Sequence, residues 1–254
     1  ANRGDWITMI DYLEYCALQA LCYIEYANFD NQATLNVNLT SDGFKQGGLG
    51  AGITNLNWER WTAFNGNNPI VQTYWTAEHN IGNGSTNGDH YELGNYNADG
   101  SNLSTYPAIY RGILNFFGDI WTFIRDVVII NKDKDYNYVH ILKKGVNHAD
   151  VTKDNVNEKC YLIGCQANTN NFITEFDFQR GVYFIPNKVG SNKKADYNWK
   201  RGDDGQDTDK AARVLLLGGR ATTGSAAGSG RFDSGLVRSD SYPHVGFFTT
   251  VKLD

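Results

Sequence analysis

The chain has 254 residues, 41% hydrophobic and 13% aromatic, with a formal net charge of −5. That composition supplies a real core and excludes wholesale disorder, and the acidic balance argues against nucleic acid as the main partner. No apolar run reaches 18 residues, so no membrane span is expected, and Asp5, Asp11 and Glu14 stand where a secretory leader would be apolar.

Residues 7–29 give the clearest helical pattern, with Ile10, Leu13, Ala17, Leu21 and Ile24 recurring every three or four positions. Tyr12, Tyr15, Tyr23 and Tyr26 form a neighbouring stripe that reads as a wide packing face. Residues 30–108 are rich in Asn, Gly and Thr, the composition of long loops and short strands. The apolar run 111–130 reads as a helical turn or two followed by a strand from Val127. Short strands are expected at 136–142, 160–164, 182–186, 213–219 and 245–253. A helix early, strands late and no βαβ alternation describe an α+β domain with a mainly antiparallel sheet, and no linker divides residues 1–254.

Little of the sequence carries a recognisable chemistry. The glycine-rich stretches 47–52 and 224–230 lack the strand, helix and Gly-Lys-Ser/Thr context of a phosphate loop and read as turns. Residues 131–135 begin like a calcium loop, but Tyr136 and Leu142 stand where Gly and Glu are needed. Residues 203–209 read as a solvated acidic loop, and the two Arg-Gly-Asp tripeptides at 3–5 and 201–203 as chance. Asn38, Asn83 and Asn102 are formal glycosylation acceptors in an Asn-rich chain. The five histidines form no helical metal pair, and no nucleophile elbow is present. Catalytic residues, metal ligands and cofactors are therefore expected to be absent. Cys16, Cys22, Cys160 and Cys165 read as buried free thiols, with a Cys160–Cys165 bridge as the alternative.

The segment between Leu215–Leu217 and Val245–Phe248 is the anomaly, because it follows neither a helical nor a strand period. All 28 asparagines lie at or before Asn198. Residues 220–245 also lack Lys, Glu, Gln, Trp and Met, of which roughly three or four are expected from average usage. Either gap alone fits chance; together they point to a restricted codon supply.

Two stretches carry a family resemblance. Residues 112–124, "GILNFFGDIWTFI", resemble the Gly-Asn-Val-Trp-Glu-Trp motif of the formylglycine-generating-enzyme branch of the C-type lectin fold. "RVLLLGGRATTGSAAGSGRF…VGFF" resembles that branch's C-terminal segment, a pairing that also marks the variable proteins diversified by retroelements, the phage tropism determinants among them. The stretches "YIEYANFDNQATLN" and "DGFKQGGLGAGIT" are similar, more loosely, to gut-phage tail and surface proteins of this group. The resemblance implies a C-type lectin fold with an N-terminal helix, and adenine-directed mutagenesis of Asn codons, whose products never encode Lys, Glu, Gln, Trp or Met. It implies a receptor-binding or adhesin protein on a virion tail tip or a cell surface, associating as homo-oligomers and binding a host-surface protein or glycan. Residues 213–248 would then be the variable binding segment, with Arg220, Thr222, Thr223, Arg231, Asp233, Arg238, Asp240, Tyr242 and His244 as ligand-binding positions. The alternative on the same fold is a glycan-degrading or diverged formylglycine-generating enzyme, and against the formylglycine-generating activity stands the lack of any cysteine after Cys165. On this reading the side chains of 220–244 are exposed and close together, while Trp121, Leu215–Leu217 and Phe247–Phe248 are buried.

Overall fold

A computed structural model of the chain describes residues 7–30, 109–110, 113–114, 116–118, 120–133, 136–191, 196–200, 212–220, 223, 226–240, 242 and 245–251. In chain order they form β1 (Ile7–Met9), α1 (Tyr12–Tyr26), β2 (Ile109–Tyr110), β3 (Ile113–Leu114), β4 (Trp121–Asp133) and β5 (Tyr136–Leu142). A 3₁₀ turn (His148–Asp150) and the short α2 (Val156–Lys159) lead into β6 (Cys160–Gln166), β7 (Asn171–Gln179) and β8 (Tyr183–Gly190). Then follow β9 (Tyr197–Trp199), β10 (Arg213–Gly218), β11 (Gly228–Asp233), β12 (Val245–Gly246) and β13 (Thr249–Val251).

The α+β expectation holds, with a short helix and a predominance of sheet. The main sheet runs β6-β5-β4-β10-β11-β9-β7-β8, and β12 joins it alongside β4. Its pairings are antiparallel except β9–β11 and β4–β12. The sheet curls until its edge strands approach, and the Ala167 amide donates to the Pro186 carbonyl at 2.7 Å just past the end of β6. The terminal strands β1 and β13 pair antiparallel, and Ile10 continues that contact by donating to the Phe248 carbonyl.

Helix α1 starts where the sequence supplies a reciprocal cap. Asp11 accepts from the Glu14 amide at 2.9 Å, and the Glu14 carboxylate accepts from the Asp11 amide at 3.0 Å. It stops at Ala27, which turns left-handed with φ 49°. The leucine stripe does not face the core: Leu13 and Leu21 are exposed and Ile24 is 77% exposed. The tyrosine face is buried instead, as the packing-face reading expects. Three of its hydroxyls decide this, because they reach partners on or beside the strands. Tyr12 donates to the Phe184 carbonyl, Tyr15 to the Ser229 carbonyl at 2.9 Å, and Tyr23 to Asp196 Oδ2 at 2.8 Å. A leucine face in that place would leave those acceptors buried without donors.

Two sequence-based boundaries are corrected. Residues 121–126 are strand, not helical turn, because they pair with β10 and, at Trp121 and Thr122, with β12, along a run of aromatic and β-branched residues. The expected strand over 245–253 breaks at Phe247–Phe248, leaving Phe247 42% exposed and Phe248 half-buried against the main core. All four cysteines are free, and Cys165 is exposed where burial was expected. A Cys160–Cys165 bridge is excluded because five residues along one strand span roughly 16 Å, far beyond disulfide reach.

Strand β10 is buried at every position. Leu215 and Leu217 point into the main core with Ile124, Val127 and Phe232, while Val214 and Leu216 pack with Trp121 on the opposite face. Each fully buried leucine contributes about 1.5–3 kcal/mol. Leu236 and Val245 cover that second face, and the Leu236 carbonyl accepts from the Val214 amide at 3.0 Å.

Gly230 is the tightest point between helix and sheet. A Cβ there would lie 2.4 Å from both Asp196 Oδ2 and the Tyr23 hydroxyl and 2.6 Å from the Phe176 ring. Gly230→Ala should therefore cost about 1–3 kcal/mol by overpacking, read as a fall in the denaturation midpoint. An unchanged midpoint would contradict this close approach.

Asp126 sits beside the start of α1, accepting from the Tyr12 amide at 2.8 Å. Burial pushes its carboxyl from 3.8 up to about 6, with Asp11 adding to the rise and the Tyr12 amide and Arg125 opposing it. The folded state then holds the proton more tightly than the unfolded chain, so this group's contribution declines as pH rises from about 4 through about 6. Asp126→Asn keeps an oxygen acceptor and should gain stability relative to the parent across that window. Thermal melts at several pH values would show it, and a parallel pH profile for the two proteins would refute it.

Candidate functional site

The segment after β10 leaves the sheet at Gly218 and Gly219, both left-handed with φ 89° and 83°, and returns as β11. A turn at its start is held by the Thr223 amide donating to the Arg220 carbonyl at 2.8 Å and the Arg220 amide to Thr223 Oγ1 at 3.0 Å. In β11 the two-residue period of a strand separates roles. Gly230 and Phe232 face the helix and main core. Arg231 and Asp233 face the other way, toward Trp121.

Of the expected ligand-binding positions, Arg238 and Tyr242 are exposed, while Arg220, Thr223, Asp233 and Asp240 are half-buried. Thr222 and His244 lie outside the described residues. Arg231 corrects the expectation of exposure: it is 6% exposed. Its guanidinium carbon lies 4.6 Å from the Tyr197 ring centre and 5.4 Å from that of Trp121, an arrangement that withdraws it from water. Asp233 Oδ2 is 3.9 Å from Arg231 Nη2, and Asp233 Oδ1 accepts from the Gly235 amide at 2.7 Å.

The electrostatics follow from burial. Desolvation lowers the Arg231 guanidinium to about 10, against the pull of Asp233, and it stays cationic at neutral pH. Desolvation also lowers Arg220, with Asp233 opposing, and raises Asp233, with Arg231 the main opposing influence. Arg220, Arg231 and Asp233 thus form one interacting group. Arg238 and Asp240 belong to a second patch. Arg238 donates to the His148 carbonyl at 3.3 Å, and Asp240 Oδ2 accepts from the Val237 amide at 2.9 Å, closing a tight turn. His148 itself bonds the Val127 carbonyl at 3.1 Å, and burial lowers its pKa.

Sequence reasoning missed Tyr197 and Trp199. In β9 they alternate with Asn198, which is buried and donates to the Ala167 and Thr169 carbonyls. The parallel register sets Trp199 opposite Asp233, on the Arg231 side, and leaves its indole 42% exposed. The signal was the aromatic-polar-aromatic triplet 197–199, which reads as one strand with two rings on one face. Trp121 is buried as expected, and it also touches Arg231.

A buried amide network fixes the end of β11. Ser234 Oγ donates to Gln166 Oε1 at 2.7 Å, Asn137 Nδ2 donates to the same oxygen at 3.1 Å, and Gln166 Nε2 donates to Asn198 Oδ1 at 2.8 Å. Among the described residues no group of three His, Cys, Asp or Glu is placed to hold a metal ion, and no helix is long and apolar enough to cross a membrane. The glycine-rich stretch 47–52, the sequons, both Arg-Gly-Asp tripeptides and the 203–209 acidic loop lie outside the described residues. No known protein family, characterised protein or solved structure matches the chain.

Trp121→Ala should cost about 3–5 kcal/mol as a large-to-small change in a packed site. It should also loosen Arg231. A melting temperature equal to the parent's would show that the ring carries no packing role.

Proposed function

We propose that this is a recognition domain, of the C-type lectin type, that binds a host-surface protein or glycan non-covalently through residues 213–248. The observation that carries this reading is the division of labour within that segment. Its strand residues Leu215, Leu217, Gly230 and Phe232 are locked into the core, while Arg220 between them and Arg238 and Tyr242 beyond them stand at or near the surface. Long connections in compact domains usually serve function, and arginine and tyrosine are the side chains that dominate recognition surfaces. The missing Asn, Lys, Glu and Gln fit a segment written by a restricted codon set, as in the retroelement-diversified proteins that the sequence resembles. On this reading the protein is displayed on a phage tail tip or a cell surface, carries out no reaction, and gains avidity when copies associate.

The combined variant Arg220→Gln, Arg238→Ala, Tyr242→Ala separates recognition from scaffold. Labelled parent protein should stain some members of a panel of bacterial cells, and the variant should lose or redirect that staining. Changes at such positions usually stay within about 0.5 kcal/mol each, so the melting temperature should barely move, with the half-buried Arg220 contributing most of any shift. Equal staining by parent and variant would place recognition elsewhere, and released glycan fragments would favour an enzyme.

A further inference from the structure

Arg231 is buried by aromatic rings that leave its hydrogen-bonding groups unmet. Its side chain is 7% exposed, yet none of its N–H groups meets a hydrogen-bond acceptor among the described residues, and Nε is sealed from water. The nearest carboxylate oxygen, Asp233 Oδ2, stands off at 3.9 Å, beyond hydrogen-bond reach. The other ionisable groups facing Arg231 are Tyr197, Asp196 and Arg220. Asp196 already accepts from Tyr23 on the helix side, and Arg220 adds a second positive charge beside Asp233. The Arg231 guanidinium therefore lies buried beside two carboxylates without a hydrogen bond to either. A desolvated guanidinium is costly to leave in that state, and a planar two-oxygen acceptor is the group that matches its fork.

We propose that Arg231 is the anchor for a carboxylate of the bound ligand, with Tyr197 and Trp121 fixing the guanidinium, Arg220 at the rim and the exposed Trp199 flanking the approach. A hydroxyl or amide supplies one oxygen without charge and satisfies the fork less well. Trp199 offers a flat apolar surface to whatever carries the carboxylate, as sugar rings and side-chain stems both require. This deepens the recognition reading and rests on it, since Arg220, Arg231 and Asp233 belong to the same segment.

The test titrates the full chain with two matched pairs of small probes: glucuronate against glucose, and N-acetylglutamate against N-acetylglutamine. Calorimetry gives affinity, and Trp fluorescence together with the Arg Nε–H resonances gives location. An acid should bind at least about tenfold more tightly than its neutral twin, the difference expected for one charge-assisted pair. The tighter of the two acids names the source, acidic sugar or acidic side chain. Arg231→Lys keeps the charge and loses the fork, and should weaken acid binding by roughly tenfold or more. Should Arg231→Lys unfold the site, Asp233→Asn decides: removing the competing carboxylate should tighten acid binding. The proposal is overturned if neutral twins bind as well as acids, if no acid binds up to tens of millimolar, or if Asp233→Asn leaves acid affinity unchanged or lower. Silent acids with staining still lost in the surface variant remove the carboxylate anchor and leave the recognition surface standing. Acid binding with staining unaffected does the reverse.

Discussion

The helix reaches the sheet because one residue of β11 has no side chain. At Gly230 the backbone comes close enough for the Tyr23 hydroxyl and Asp196 to meet across it. Tyr15 bonds the neighbouring Ser229 carbonyl. The tyrosine face of α1 depends on that approach, and with it the choice of which helix face is buried. The consequence appears on the other side of the helix, where Leu13, Leu21 and Ile24 are left exposed. Hydrogen-bonding geometry, not apolar content, set the orientation.

The same strand explains how an irregular segment can sit in the middle of a core. Strand β10 is apolar on both faces and needs cover on both. Helix α1 and the main core cover one face, while Leu236 and Val245, from the irregular segment itself, help to cover the other. The segment is therefore partly a roof. Its ends are fixed by pairing, through β11 against β10 and β12 against β4, and its polar end by the Ser234–Gln166–Asn137 network. On the proposed reading, the binding positions are what remains after those duties are assigned.

Much of this was legible in the sequence. Strands β5, β6 and β10 lie where short apolar runs predict them, because those runs are long enough to show their pattern. Strands β7 and β11 were missed for different reasons. β7 carries Glu175 and Asp177 among its aromatics, and β11 is built of Gly, Ser, Arg and Asp, whose strand tendency is weak until neighbours pair with it. The buried Arg231 was illegible for a related reason. Its burial depends on Tyr197 and Trp121, 34 and 110 positions away in sequence, so local composition marks it as an ordinary surface arginine.

These constraints grade the segment rather than dividing it into scaffold and surface. Gly230, Phe232 and Ser234 face steric or hydrogen-bonding limits that few residues satisfy. Arg231 and Asp233 are enclosed but not fully bonded, so their identity affects both packing and the local charge. Arg238 bonds a carbonyl of the 3₁₀ turn, and Tyr242 is exposed. A diversifying process acting evenly along the codons would thus produce uneven results. Changes at 230, 232 and 234 would be removed by misfolding, changes at 231 and 233 would alter the buried charged group, and changes at 238 and 242 would alter the exposed surface at little structural cost. The period of two along β11 is what allows neighbouring positions to have such different tolerances.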